Sequence, residues 1–120
     1  MYGLERADTL KVLELGERIK LLRYEKNWTQ EELGVQCKVN GSVVNRWENG
    51  SRIPIPLKMS RLAKVLAVEV SELMYGVKRV GALKALTLGR RIELLRIEKG
   101  WFQKDLALKC RVHLATVIGW

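Results

Sequence analysis

The sequence predicts an all-α protein, five short helices followed by an incomplete second copy of the same unit. Apolar residues recur at three- and four-residue spacing along most of the 120 residues, which gathers them on one side of a helix. No stretch alternates with period two for long enough to be a strand. Residues 1–47 recur without a gap as residues 74–120, with 23 identities in 47 positions, so one local pattern is written twice.

Leu15, Ile19 and Leu22 define the first helix, with Arg18, Lys20, Glu25 and Lys26 off the apolar stripe. Asp8 or Thr9 is its expected cap, and Asn27 ends it. Thr29 caps the second helix, whose first turn carries Glu31 and Glu32 near the positive helix end; Leu33 and Cys37 form its inner face. Lys38-Val39-Asn40 is a tight turn. Ser42 to Trp47 is the third helix, with Val44 and Trp47 inward, and Asn49-Gly50 closes it. After the loop at 51–56, with its two prolines, Met59, Leu62, Ala63 and Leu66 mark a fourth helix. Val70, Leu73 and Met74 give a short fifth, with Ser71 as its expected cap. The units therefore run 8–76 and 86–120, with 77–85 as linker and start of the next helix.

The formal net charge is +9, which favours a polyanionic partner, because Lys and Arg gain most by displacing counterions from phosphates. Residues 1–76 hold 12 Lys/Arg against 10 Asp/Glu and residues 77–120 hold 10 against 3, so the excess rises from +2 to +7. No apolar run approaches the roughly 20 residues that span a bilayer, and the N-terminus lacks a signal pattern. A soluble, cytoplasmic, nucleoid-associated protein without membrane contact is expected. The two cysteines, Cys37 and Cys110, occupy one repeated position and read as buried free thiols. Cys110 and His113 share a Cys-x-x-His spacing, but one pair is not a metal site, and His113 has no nucleophile or orienting carboxylate in its pattern. Trp28, Trp47, Trp101 and Trp120 fall on two framework positions, which points to core packing rather than base stacking. No enzyme activity, cofactor or metal is expected.

The ordered set "LGERI" at 15–19, Arg23, "WTQEEL" at 28–33, "NRWENG" at 45–50, "RIP" at 52–54 and "LAKVLAVEVSELM" at 62–74 resembles the helix-turn-helix domain of the lambda repressor and Cro type, the xenobiotic-response-element family. The resemblance covers 13–76 fully and 86–120 partly. It implies a transcriptional regulator, a repressor, that binds double-stranded DNA with the helix at about 42–47 in the major groove. Asn40, Gly41, Ser42, Val43, Asn45 and Arg46 are the exposed reading set. Arg46 suits guanine, Asn45 adenine, and Val43 a thymine methyl group. By the same resemblance Gln30 faces a phosphate at the start of the second helix, Asn49 and Arg52 grip flanking phosphates, and Arg23 and Glu48 form a structural ion pair. Two departures stand out. Lys38 and Arg111 occupy a turn position where the family usually has glycine, and Gly34 replaces a small alanine at an expected cost of about 0.5–1 kcal/mol.

The second unit keeps framework positions but changes the reading set to His113, Leu114, Ala115, Thr116, Ile118 and Gly119. Gln103, His113 and Thr116 are its candidate DNA contacts; its apolar remainder suits a protein partner. It stops before any counterpart of Glu48, which leaves Arg96 without a mate and Leu95 and Trp120 without cover. Either the chain is a window from a longer tandem protein or a partner chain, such as a second copy in a homodimer, completes the unit. An antitoxin that represses its own operon and an interaction adaptor that kept the fold are the alternative functions.

Overall fold

Ten helices follow one another in the computed structural model, which describes residues 6–120: α1 (Arg6–Val12), α2 (Leu15–Glu25), α3 (Gln30–Cys37), α4 (Gly41–Asn49), α5 (Pro56–Val65), α6 (Val70–Tyr75), α7 (Arg79–Ala85), α8 (Leu88–Glu98), α9 (Gln103–Cys110) and α10 (Leu114–Ile118). The repeat shows in these bounds, since α7, α8 and α9 begin and end at the residues that the 73-residue offset assigns to α1, α2 and α3. Met1-Tyr2-Gly3, the start of the repeat, lies outside the described residues.

The opening helix differs from expectation. Asp8 and Thr9 sit inside α1 rather than capping α2. The chain turns extended at Glu14, and the Glu14 N–H donates to the Glu17 carboxylate at 3.1 Å. That bond satisfies one of the orphan donors of a helix start. Arg18 then ties three helices together. Its guanidinium, buried within the fold, donates to the Leu10 carbonyl at 2.6 Å and to the Leu73 and Met74 carbonyls at 3.2 and 2.8 Å. Carbonyls near the ends of α1 and α6 thus meet a cation, the favourable sign for a helix C-terminus, although burial lowers the Arg18 pKa from its ordinary value.

Ile19, Leu22, Leu33, Cys37, Val44, Trp47, Met59, Leu62, Leu66 and Leu73 form the core of the first unit. The end of α4 lies directly on α2 at Gly16, where a Cβ would stand 2.7 Å from the Trp47 carbonyl oxygen. Only glycine allows that approach. Proline opens α5, and Lys58 reaches back to the Cys37 carbonyl at 2.9 Å. The cap of α6 is Glu69, not Ser71: the Glu69 N–H donates to Glu72 at 2.9 Å, while Ser71 is buried inside the helix. Burial also pushes the Cys37 thiol up to about 11, so it stays a protonated, apolar filler.

Residues 79–85, expected as linker and helix start, are a helix in their own right. Ala82 is buried, and Arg79 bonds Glu69 through its N–H at 3.0 Å and Glu98 through Nε at 2.8 Å. The larger surprise is α8. In α2 the inward pair is Ile19 and Leu22, but in α8 it is Leu94 and Ile97 that are buried, at 0% and 8% exposure, while Leu95 is 41% exposed. The helix has turned its other face inward to pack across α5 and α6. One substitution makes that face apolar: Ile97 stands where the first unit has the exposed Tyr24. Tyr75 Oη donates to Glu93 at 2.8 Å and Ser60 Oγ to the Glu98 carbonyl at 3.3 Å, along the same seam.

As a consequence α9 and α10 pack mainly on each other. Cys110 is exposed, contrary to the buried position its copy suggests, and Trp120 is 46% exposed where Trp47 is buried. The reason is that, among the described residues, no helix covers α9 as α5 covers α3. Among the described residues, no helix is long and apolar enough to cross a membrane.

The inverted face of α8 has a direct test by urea unfolding. Leu94→Ala should lower stability by about 2–5 kcal/mol, the range for a buried leucine cavity. Leu95→Ala, at the position equivalent to the core residue Leu22, should change it by less than about 1 kcal/mol.

Candidate nucleic-acid interface

Local chemistry places α3 and α4 with little freedom. Thr29 Oγ1 accepts from the Glu32 N–H at 3.1 Å, and Glu32 accepts from the Thr29 N–H at 2.9 Å, a reciprocal cap. At the other end Lys38 adopts left-handed φ 61° and ψ 44°, as the missing glycine requires, and the Val39 N–H closes on the Gly34 carbonyl at 2.9 Å. This conformation costs a residue with a Cβ roughly 1–2 kcal/mol. Arg111 repeats it at φ 56° and ψ 43°. Gly34 has a purpose beyond its helix cost, because a Cβ there would lie 2.6 Å from the Val39 oxygen. The second unit has Ala107 at this point and keeps the equivalent bond at 3.0 Å.

Val44 and Trp47 anchor α4 from beneath. Asn40, Ser42, Asn45, Arg46, Asn49 and Arg52 are exposed on its outer side, whereas Gly41 and Val43 are half-buried. Gly41 is close to Glu31, where a Cβ would be 3.0 Å from that side chain. Asn40 precedes the helix with extended backbone and makes no capping bond through its side chain. Asn49 Oδ1 accepts from the Ser51 N–H at 2.9 Å, and the Arg52 N–H donates to the Arg46 carbonyl at 3.2 Å, which holds the following loop against the helix. Among the described residues, neither Arg46 nor Arg52 has an ion-pair partner.

The brace beneath is the Arg23–Glu48 pair. Arg23 Nε and Nη2 donate to the two Glu48 oxygens at 2.6 and 3.0 Å, with side-chain exposures of 7% and 4%. The bidentate match is the strong geometry for this pair. Arg23 Nη1 also donates to the Trp28 carbonyl at 2.8 Å. The hydrogen bonds to Glu48 raise the Arg23 pKa from its ordinary value despite the opposing effect of burial.

Gln30 is more tightly engaged than its position as a phosphate contact suggests. Its Nε2 donates to Glu48 at 3.1 Å and to Asn45 Oδ1 at 3.2 Å. Asn45 Oδ1 is thus shared with Gln30, and its second lone pair and the amide N–H groups are what it can offer a base. These links join residues 15 and 18 positions apart, and no spacing rule on one helix signals them.

In the second unit Gln103, His113 and Thr116 are all exposed. Leu114 and Ile118, 60% exposed, share that surface. Among the described residues, no group of three or more His, Cys, Asp or Glu side chains is placed to hold a metal ion.

A helix-turn-helix family model matches residues 19–73, the span from the middle of α2 to α6 that contains this braced helix pair. Residues 19–73 form a helix-turn-helix domain of the lambda repressor and Cro type. This family consists of DNA-binding transcription regulators. The chain is 33% identical over 64 residues to the HTH-type transcriptional activator BcrR of Enterococcus faecalis, a stretch that covers 53% of this chain and 31% of that protein. It is 29% identical over 99 residues to the HTH-type transcriptional repressor RghR of Bacillus subtilis, covering 78% of this chain and 71% of that protein. The chain thus spans less than a third of the first relative's length. Among solved structures it resembles the P22 c2 repressor protein in complex with a synthetic operator, with a TM-score of 0.53 and 26% identity over 55% of this chain and 100% of that one.

Within the helix-turn-helix domain, Glu48→Ala should lower stability by about 3–5 kcal/mol, because it strands a buried guanidinium. Urea or thermal unfolding measures it, and unchanged melting would contradict the role given to the pair.

Proposed function

We propose that the chain is a transcriptional repressor that binds double-stranded DNA sequence-specifically, with α4 in the major groove and the start of α3 on the backbone. The observation that carries this reading is the polar outer side of α4, held by an ion pair beneath it. A helix fits the major groove, where base edges differ in donors, acceptors and methyl groups. Its orientation must be fixed for side chains to tell them apart.

The roles follow from chemistry. Arg46 has the planar two-pronged donor set that suits guanine. Asn45 donates to a base acceptor, and the half-buried Val43 brings methyl groups to the edge of the groove for thymine. Asn40, Gly41 and Ser42 open α4 as part of the set that faces base edges, and Gln30 lies where the start of α3 presents backbone N–H groups, the usual setting for phosphate. Asn49 and Arg52 flank them as further phosphate contacts. A homodimer on two half-sites about 34–36 Å apart is the arrangement such domains commonly use. A repressor role is supported by the likeness to RghR and to the P22 c2 repressor on its operator.

The second unit has a different part in this proposal. Its +7 charge excess draws the chain toward phosphates, with Gln103, His113 and Thr116 at the corresponding surface. The exposed Leu114, Ile118 and Trp120 favour contact with a protein segment over base reading.

Competition binding at one fixed salt concentration separates the roles. Arg46→Ala should lose about 1–3 kcal/mol at the preferred site and relax its preference, whereas Gln30→Ala should weaken all sequences alike. Equal loss of specificity in both variants would count against the assignment.

A further inference from the structure

Between α4 and the loop that follows it, within the first unit, lies a groove of about 420 Å³, a volume in the range of small-molecule sites. Val43 and Trp47, one helical turn apart, form one wall, and Ile53 and Ile55 form the other. The second wall is stiff. The Arg52 N–H donates to the Arg46 carbonyl at 3.2 Å, which ties the loop to α4, and Pro54 and Pro56 each fix a backbone angle. Ile53 and Ile55 both precede a proline, which favours extended backbone, and Ile55 is extended at φ −65° and ψ 159°. Pro54 between them is buried, so the two isoleucines stand together on the opposite side, 71% and 46% exposed. Apolar side chains held out of the core beside a tryptophan form a wall suited to an apolar ligand.

The rim of the groove is positive. Arg52 and Lys58 border it, and residues 49–68 hold Arg52, Lys58, Arg61 and Lys64 without one Asp or Glu. Among the described residues, neither Arg52 nor Lys58 has an ion-pair partner. Lys58 uses one donor on the Cys37 carbonyl at 2.9 Å and keeps two more, and the guanidinium of Arg52 offers the planar fork that fits a carboxylate. An apolar trough flanked by two cations is complementary to a molecule with an apolar body and one anionic group. We propose that this groove is an effector site for a small apolar anion of the aromatic carboxylate class. Arg52 then serves two ligands. Paired with the anion it is withdrawn from phosphate, and a body lying against Val43 adds bulk beside the reading side of α4, so anion and DNA weaken each other by the same factor. That coupling rests on the DNA reading of α4 proposed above; the binding of the anion does not.

The test titrates the full chain with sodium benzoate, benzamide and sodium acetate at equal ionic strength and follows the Ile53 and Ile55 methyl signals by NMR. Benzoate should give a saturable shift, with binding about tenfold weaker for benzamide, which lacks the charge, and for acetate, which lacks the body. Arg52 lies in an exposed loop held through its backbone, so Arg52→Gln should fold as the parent does and bind benzoate about tenfold more weakly. Lys58→Gln reads the second cation independently. Benzoate should also weaken binding to a duplex that the chain recognises specifically, and unchanged affinity for that duplex would overturn the effector role. If no duplex is recognised while benzoate still saturates and Arg52→Gln still weakens it, the DNA reading fails and the anion site stands. If duplex DNA shifts the isoleucine methyls and benzoate does not, the groove is a wall of the DNA interface and the proposal is overturned. Equal binding of benzoate and benzamide, or no loss in either variant, would overturn it as well.

Discussion

The geometry of the first unit depends on one buried ion pair. Arg23 belongs to α2 and Glu48 to the last turn of α4, and they meet through two short bonds. The guanidinium also fixes the Trp28 carbonyl at the entrance to α3, and Gln30 brings the first residue of α3 to the same carboxylate. Three helices are therefore set relative to one another by a single charged cluster. A buried pair adds little net stability over an apolar equivalent, but breaking it is costly, so its contribution lies in making one arrangement of helices much better than its neighbours. An apolar contact between Trp47 and the core could slide; a bidentate pair cannot without losing a bond.

The second unit shows what the same framework does in a different packing context. Its helices form over equivalent spans because caps, turn conformations and helical spacing are local, and Arg111 takes the left-handed turn just as Lys38 does. Its packing is not a copy. The change from Tyr24 to Ile97 gives α8 an apolar side that the first unit lacks, and α5 and α6 provide the surface for it. The face that α2 turns inward is left partly open in α8, with Leu95 and Trp120 exposed. A repeated sequence can therefore conserve secondary structure while the burial of its side chains shifts to another face.

This division explains what was legible in the sequence. The Thr29 cap, the end of the helix at Asn27 and the inward Val44 and Trp47 all follow from short-range chemistry, whereas the left-handed turn at Lys38 follows from the glycine that the resembled family has there. The Arg23–Glu48 pair came from a resemblance rather than from spacing. The break between α1 and α2 was hidden because Leu10, Leu13 and Leu15 give no clear signal of a stop, and Glu14 is an unusual cap. The face choice of α8 was hidden because it depends on the competing surface of α5 and α6. At the interface Asn40, Ser42, Asn45 and Arg46 are exposed as expected, whereas Gly41 and Val43 are half-buried, and the hold of Gln30 on Asn45 was not visible, since it needs the distance between two helices.

Selection of bound duplexes from a random DNA pool, with the full chain at a stated salt concentration near physiological, tests the central claim most directly. A braced α4 that reads base edges predicts enrichment of one short motif, with positions that discriminate by about 1–3 kcal/mol each. Retention of duplexes without any enriched motif would contradict the account, because the positive charge would then bind phosphate alone and the ordered surface of α4 would not be reading sequence.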